Sequence, residues 1–247
     1  MTQAGKQGVA LITGAARRIG ASIAKYVHAQ GMRVVVHYWQ SAEEAQALVA
    51  ECNRQRANSA LAIAADLADP KALSDLLRAT VEWGGRLDLL VHNASVFIRT
   101  DDVPDAMSLW DPIFTVNVKA PWQLSEMAFP YLAENKGSIV YISDMHADST
   151  LKGYGIYIQS KAALHAQTRI LAKRFAPAIR VNAVAPGAIL WPEGDNHLSE
   201  AVRQQIREET ALKIQGAPED IAQAVWFLHT QRFVTAQILA VNGGRGL

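Results

Sequence analysis

The sequence predicts an α/β protein with one doubly wound parallel sheet and helices on both faces. Three observations carry that reading. Short apolar runs alternate with amphipathic helical stretches along the chain, the pattern of strands joined by helical crossovers. The first apolar run leads through a glycine-bearing turn into a helix, where open α/β sheets bind phosphate. The 247 residues, half of them hydrophobic, can bury one large core and do not require a second. A single domain over residues 1–247 is expected.

Residues 8–13 read as the first strand, followed by a helical pattern over 19–30. Residues 33–38 (RVVVHY), rich in β-branched side chains, make the second strand. Ser41-Ala42-Glu43-Glu44 has capping-box form, Ser at the N-cap and Glu three residues on, and opens a helix to about residue 56. Residues 60–65 form the third strand, and Asp69-Pro70 starts the next helix with Asp as cap and Pro in the first turn. Residues 87–92 are the fourth strand, one long helix covers 108–134, and 137–143 are the fifth strand. A helix holding Tyr157 and Lys161 runs to about residue 175, followed by a strand at 179–184, a helix at 218–230 and a last strand at 237–241. This alternation implies parallel strands with right-handed crossovers, the Rossmann-type arrangement. Residues 188–198, after Pro186-Gly187, show no clear pattern. A loop leaving the carboxyl end of a strand in such a sheet lies over the ligand crevice.

Composition excludes several function classes. With 24 basic against 23 acidic residues, the net charge of +1 makes no electrostatic case for a nucleic acid or an anionic membrane surface. The single cysteine, Cys52, rules out a disulfide within the chain and fits a reducing compartment. The N-terminal residues lack an apolar h-region, and no run of about 18 apolar residues predicts a membrane span. A soluble cytoplasmic protein is expected. The histidines show no metal-ligand spacing.

Two segments carry chemistry. Thr13-Gly14-Ala15-Ala16-Arg17-Arg18-Ile19-Gly20 joins the first strand to the first helix, where glycine lets backbone approach a pyrophosphate. Residues 33–42 contain no acid to hold a ribose 2′-hydroxyl, whereas Arg17, Arg18, His37 and Ser41 offer donors for a 2′-phosphate, so NADPH is expected over NADH. The two arginines oppose the helix dipole: either they are simply solvated there, or an anion sits between them and the helix end. Tyr157 and Lys161, four apart on a helical pattern, share one face. A lysine cation there stabilises tyrosinate and brings the phenol proton into working range.

In order along the chain stand TGAARRIG at 13–20, Asp66-Leu67, Asn93-Ala94, Asn117, Tyr157-x-x-x-Lys161 and Pro186-Gly187. Together they resemble the short-chain dehydrogenase/reductase family over essentially the whole chain. Arg18 replaces the middle glycine of that family's TGxxxGxG fingerprint, and Asn242-Gly243-Gly244 stands where Asp-Gly-Gly is common. The resemblance implies a cofactor site of Gly14, Arg17, Arg18, Ile19, Gly20, His37, Tyr38, Ser41, Asp66, Leu67, Asn93, Ala94, Ser95, Lys161, Pro186 and Gly187. It implies Tyr157 as the acid–base group, Lys161 as holder of the nicotinamide ribose as well, and Asn117 as the residue positioning a relay water and the site backbone. It also implies a homotetramer built on residues 108–134, 153–175 and the last strand.

One departure bears on the substrate. Most of the family place a serine 13 residues before the tyrosine, and here that position is Asp144; Ser143 takes the role only on a one-residue slip. A carboxylate opposes a developing alkoxide but suits a proton-bearing ring nitrogen. Asp144, the Arg18-bearing turn, His37-Tyr38 and Asn93-Ala94-Ser95-Val96-Phe97 resemble the pteridine reductases of this family. That resemblance implies that Phe97 stacks on a pterin, that Ser95 contacts cofactor and substrate, and that Arg18 also serves the substrate. The expected function is NADPH-dependent reduction of pterins or dihydropterins, with dihydrofolate a further candidate. The alternative is a carbonyl reductase acting on a ketone or acyl thioester through Ser143 and Tyr157. A non-catalytic NADP-binding regulator fits poorly, since Tyr157, Lys161 and Asn117 are intact.

Overall fold

Both faces of the sheet are buried, and the alternation within each strand shows how. The computed structural model describes residues 7–101, 103–194 and 197–246. Seven parallel strands run β1 (Val9–Ile12), β2 (Arg33–Tyr38), β3 (Ala60–Ala64), β4 (Leu89–His92), β5 (Ser138–Ile142), β6 (Arg180–Pro186) and β7 (Ile238–Val241). Their spatial order is β3-β2-β1-β4-β5-β6-β7, so the winding reverses between β1 and β4. That reversal opens a crevice at the carboxyl ends of the strands.

Between the strands lie α1 (Arg18–Ala29), α2 (Ala42–Gln55), α3 (Pro70–Gly84), α4 (Trp110–Phe114), α5 (Ala120–Glu134), α6 (Gly155–Phe175), α7 (Glu200–Glu209) and α8 (Pro218–Thr230). Ala10, Ile12, Val34, Val36, Leu89 and Val91 face Ile23, Val27, Leu48, Ile221 and Val225 of α1, α2 and α8. Their alternates Leu11, Val35, Leu90, Ile139 and Tyr141 face Leu73, Leu76, Leu124, Leu132, Leu164 and Leu171 of α3, α5 and α6. Each strand thus supplies two cores, which is why its sequence reads as a continuous apolar run.

The elements depart from expectation in three places. The helix expected over 108–134 is interrupted: α4 and α5 are separated by a π-helical turn at Thr115–Lys119, which contains Asn117. Ser41 precedes α2 without capping it through its side chain, and Glu44 instead faces Arg17 at 3.9 Å. The helix α7 was not expected; it is mostly polar with a narrow apolar face (Val202, Ile206), buries none of its residues fully, and is capped by Ser199 Oγ accepting from the Val202 N–H. The loop before it follows Pro186 as expected. No helix among the described residues is long and apolar enough to cross a membrane. No cluster of metal-ligating side chains occurs among them either.

A polar seam crosses the second core. The His92 ring stacks on Tyr141, centroids 4.8 Å apart, and its Nε2 lies 2.9 Å from Ser125 Oγ. Ser125 Oγ donates to the Pro121 carbonyl, so it accepts from His92 and from the Tyr141 hydroxyl, which in turn accepts from Gln167 Nε2. This closed network satisfies every buried partner with a neutral imidazole. Burial holds His92 down to about 3, and His37 and His229 down to about 4. These groups sit at 6.5 when unfolded, so their stabilisation is complete above that pH and is lost as pH falls from 6.5 toward 4, at about 1.4 kcal/mol per group per pH unit. The urea midpoint is therefore expected to drop steeply between pH 7 and pH 5. His92→Asn should start lower at pH 7 and decline less steeply; parallel declines would refute the assignment.

Candidate active site

The crevice at the β1/β4 reversal has a volume of about 650 Å³. Its walls include Gly14, Arg17, Arg18, Ile19, Gly20, His37, Tyr38, Ser41, Asp66, Leu67, Asn93, Ala94 and Ser95, so thirteen residues singled out from scattered motifs meet in one cleft. Lys161, Tyr157, Asp144 and Phe97 are not among its walls; Lys161 is buried with its Nζ 5.5 Å from the Tyr157 ring centre. Pro186 ends β6, and Gly187 is engaged by β7: its N–H donates to the Val241 carbonyl.

Backbone geometry explains the turn. Gly14 has φ +62°, and a Cβ there would meet Ala94 Cα at 2.8 Å. A Cβ on Gly20 would press into the Gly14 carbonyl oxygen and Asn93 Nδ2. Asn93 Nδ2 donates to the carbonyls of Thr13 and Gly14, while Thr13 Oγ1 accepts from the N–H groups of Asn93 and Ala94. His37 completes the brace. Its Nδ1 accepts from the Gly14 N–H at 3.0 Å and its Nε2 donates to the Ala65 carbonyl at 3.1 Å. Both nitrogens are therefore committed, and burial keeps the ring neutral. The expectation that His37 donates to a 2′-phosphate is corrected: it fixes the turn from behind.

Arg18 stands where the family fingerprint has glycine, and it adopts φ +55°, the left-handed region that glycine occupies without strain. Its guanidinium donates to Glu193 Oε1 at 2.6 Å and to the Trp191 carbonyl at 2.9 Å. The anion inferred beside the arginine pair is thus supplied by the protein in part. Glu193 and the Trp191 carbonyl escaped sequence reading, because the segment after Pro186-Gly187 carries no periodicity to place them. The N-cap residue Arg17 makes no side-chain cap, which leaves the first N–H groups of α1 directed at the crevice.

The catalytic end is organised by Asn117. Its Oδ1 accepts from Ser95 Oγ and the Val96 N–H, and its Nδ2 donates to the Val96 carbonyl and to Ser160 Oγ. Ser160 Oγ donates onward to the Tyr157 carbonyl at 2.6 Å. The π turn brings Asn117 inward to make these bonds, consistent with π turns occurring at functional sites.

Tyr157 donates its hydroxyl to Asp144 Oδ2 at 2.9 Å, and Asp144 Oδ1 accepts from the His146 N–H at 2.8 Å. Lys161 Nζ donates to the Ile142 carbonyl at 3.0 Å and lies 5.5 Å from the Tyr157 ring centre. Burial lowers Lys161 to about 8. Burial, then the Asp144 charge and its hydrogen bond, hold Tyr157 well above its ordinary value. The expected depression of Tyr157 by the lysine is therefore reversed: the carboxylate, not the ammonium, meets the phenol. Tyr157 rests as a loaded acid. Ser143 is 4% exposed, and its Oγ donates to the Lys161 carbonyl.

Phe97 stands edge-on to Tyr157 at 4.7 Å, and Tyr154 covers one of its faces at 4.3 Å. Tyr154 was not singled out, although its spacing of three residues from Tyr157 places the two at one helix entrance. A glycine surface, an uncapped helix end and a β2 terminus (Tyr38-Trp39-Gln40) without an acid fit a dinucleotide in the crevice.

Comparison with known proteins accords with this geometry. The family model described as enoyl-(acyl carrier protein) reductase matches residues 14–245. The chain is 37% identical to a granaticin polyketide synthase putative ketoacyl reductase of Streptomyces violaceoruber, covering all of this chain and 99% of the relative. It is 34% identical to a 3-oxoacyl-(acyl-carrier-protein) reductase of Staphylococcus aureus (95% and 96% covered) and 32% identical to pteridine reductase 1 of Leishmania tarentolae (100% and 99% covered). By identity, ketoacyl reductases stand nearer than the pteridine reductase, which favours the carbonyl alternative over the pterin reading. With this fold, this dyad and these matches, the chain belongs to the short-chain dehydrogenase/reductase family of oxidoreductases, whose reductases use nicotinamide cofactors.

Proposed function

We propose that this protein reduces a ring carbon–nitrogen double bond of a pterin or dihydropterin, with NADPH as cofactor. The observation that carries the reading is the Tyr157–Asp144 hydrogen bond, with Ser143 turned away to the Lys161 carbonyl. When bound, the nicotinamide supplies a hydride to the imine carbon. Tyr157 delivers the proton to the adjacent nitrogen, and Asp144 holds the phenol and accepts from the heterocycle's N–H groups. A carboxylate suits that partner and would oppose an alkoxide forming on a ketone. Lys161 holds the ribose and lends positive charge as the phenol gives up its proton. Asn117 fixes the backbone from which Ser95 and Phe97 address the ring.

Carbonyl reduction of a ketoacyl thioester is the second reading, favoured by the greater identity to ketoacyl reductases. It requires Ser143 to turn from the Lys161 carbonyl toward the substrate oxygen.

Mutants separate the two. Asp144→Asn preserves size but removes the charge that accepts from the phenol and the heterocycle, and should lower kcat/KM for dihydrobiopterin by about tenfold or more, the worth of one charge-assisted hydrogen bond. Ser143→Ala should be nearly silent on that substrate. The reverse ranking, with turnover of acetoacetyl thioesters but not of dihydropterins, would establish the ketoacyl reading.

For the cofactor, Arg17, Arg18 and Ser41 flank the end of β2, which itself carries no acid; Glu44 faces Arg17 at 3.9 Å and Glu193 engages Arg18 at 2.6 Å, so a 2′-phosphate would share these arginines with them. NADPH is expected to bind about tenfold or more tightly than NADH, one charge-assisted phosphate contact being worth roughly 1.5–3 kcal/mol. Fluorescence titration with both cofactors checks this, and Arg17→Ala should narrow the gap; equal affinities in the wild type would defeat the proposal. We further propose a homotetramer in which β7, at the sheet edge with Ile238, Leu239 and Val241 half-buried, lies in a contact. A monomer mass by light scattering at micromolar concentration would exclude it.

A further inference from the structure

A second cavity, of about 330 Å³, lies between the loop after β4, the loop before α6 and α7. Tyr154, Leu198, Val202 and Ile206 give it apolar walls. Arg99, Lys152 and Arg245 bring three permanent cations to its rim. Among the described residues the one carboxylate lining it is that of Glu209, engaged by Arg245 at 3.2 Å, and the nearby His197 Nε2 accepts from Arg203. Lys152 is exposed and enters no ion pair among the described residues. Among its described lining residues the cavity thus combines apolar side chains with more cations than carboxylates.

Its position connects it to the chemistry. Tyr154 lines the cavity and stacks on Phe97, whose ring meets Tyr157 edge-on. The two loops are tied together, since the Thr100 N–H donates to the Gly153 carbonyl and the Gly153 N–H to Asp101 Oδ2. The cavity wall is thus in ring contact with the acid–base tyrosine, directly at 6.4 Å between the Tyr154 and Tyr157 centroids and through Phe97. We infer that the cavity is a tail subsite, taking the apolar or aryl stem and the anionic end, carboxylate or phosphate, of an elongated substrate. The inference rests on the reductase reading in either of its forms. The glutamyl end of a folate and the phosphate of a pantetheine thioester share the required chemistry.

The test uses the NADPH-saturated enzyme and two substrate pairs that differ in the anionic arm: dihydrofolate against dihydrobiopterin, and acetoacetyl-coenzyme A against ethyl acetoacetate. Lys152→Glu should raise KM for the anionic member of the pair that is reduced by about tenfold. It should spare kcat and leave the short member unaffected, and Lys152→Arg should restore the wild-type KM. The pair that responds identifies the source of the anion. Unchanged KM for both anionic members in Lys152→Glu overturns the inference. If the wild type reduces neither pair, the substrate reading has failed, and the subsite is read by calorimetry with p-aminobenzoylglutamate and 4′-phosphopantetheine. Binding to the wild type that weakens in Lys152→Glu upholds it; no binding, or equal binding in both, overturns it.

Discussion

A carboxamide has two donor hydrogens and an oxygen that accepts twice, and Asn117 makes one hydrogen bond for each donor and two at its oxygen. It is 1% exposed, so none of these bonds can be replaced by water without cost. Through them the loop after β4 is held to α6, and Ser160 passes the constraint to the backbone of Tyr157. The register of Phe97, Ser95 and Tyr157 relative to one another therefore depends on one buried side chain. The cost is paid in helix regularity, since the chain between α4 and α5 widens to a π turn to bring Asn117 inward.

The fold was legible because burial on both faces of a parallel sheet leaves a signature that local sequence cannot hide. Val34, Val35 and Val36 are all buried, each against one core or the other, and the strand reads as an unbroken apolar run. The site residues were legible as motifs, and the crevice gathers thirteen of them. What was not legible depends on contacts between segments distant in sequence. Nothing local tells that His37 is consumed by Gly14 and Ala65, or that Arg18 reaches Glu193, which is 175 positions away. The helix α7 escaped because only Val202 and Ile206 mark its apolar face and none of its residues is buried. The sign of the Tyr157 shift was misjudged because helical spacing places Lys161 on the right face but is silent on Asp144, which approaches from the end of β5 and reaches the hydroxyl first.

The greater identity to ketoacyl reductases and the pterin reading proposed from Asp144 name different substrates, and the two rest on different kinds of observation. Identity over the chain counts every position alike, those of the two cores and the crevice included. Substrate choice is set by the few groups around Tyr157, where one carboxylate changes which developing charge is welcome. The ketoacyl relatives speak to the first and Asp144 to the second.

Arg18 has one guanidinium to share. Its positive φ is tolerated while two hydrogen bonds bind it to the segment beyond β6, and those bonds join the turn after β1 to that segment. Any anion that draws on Arg18 from within the crevice competes with Glu193 for the same donors. By linkage, such an anion weakens the tie between the two segments to the degree that the tie weakens the anion's hold, the two free energies being equal. The residue that replaces a glycine thereby couples the occupancy of its own guanidinium to a segment 175 positions away.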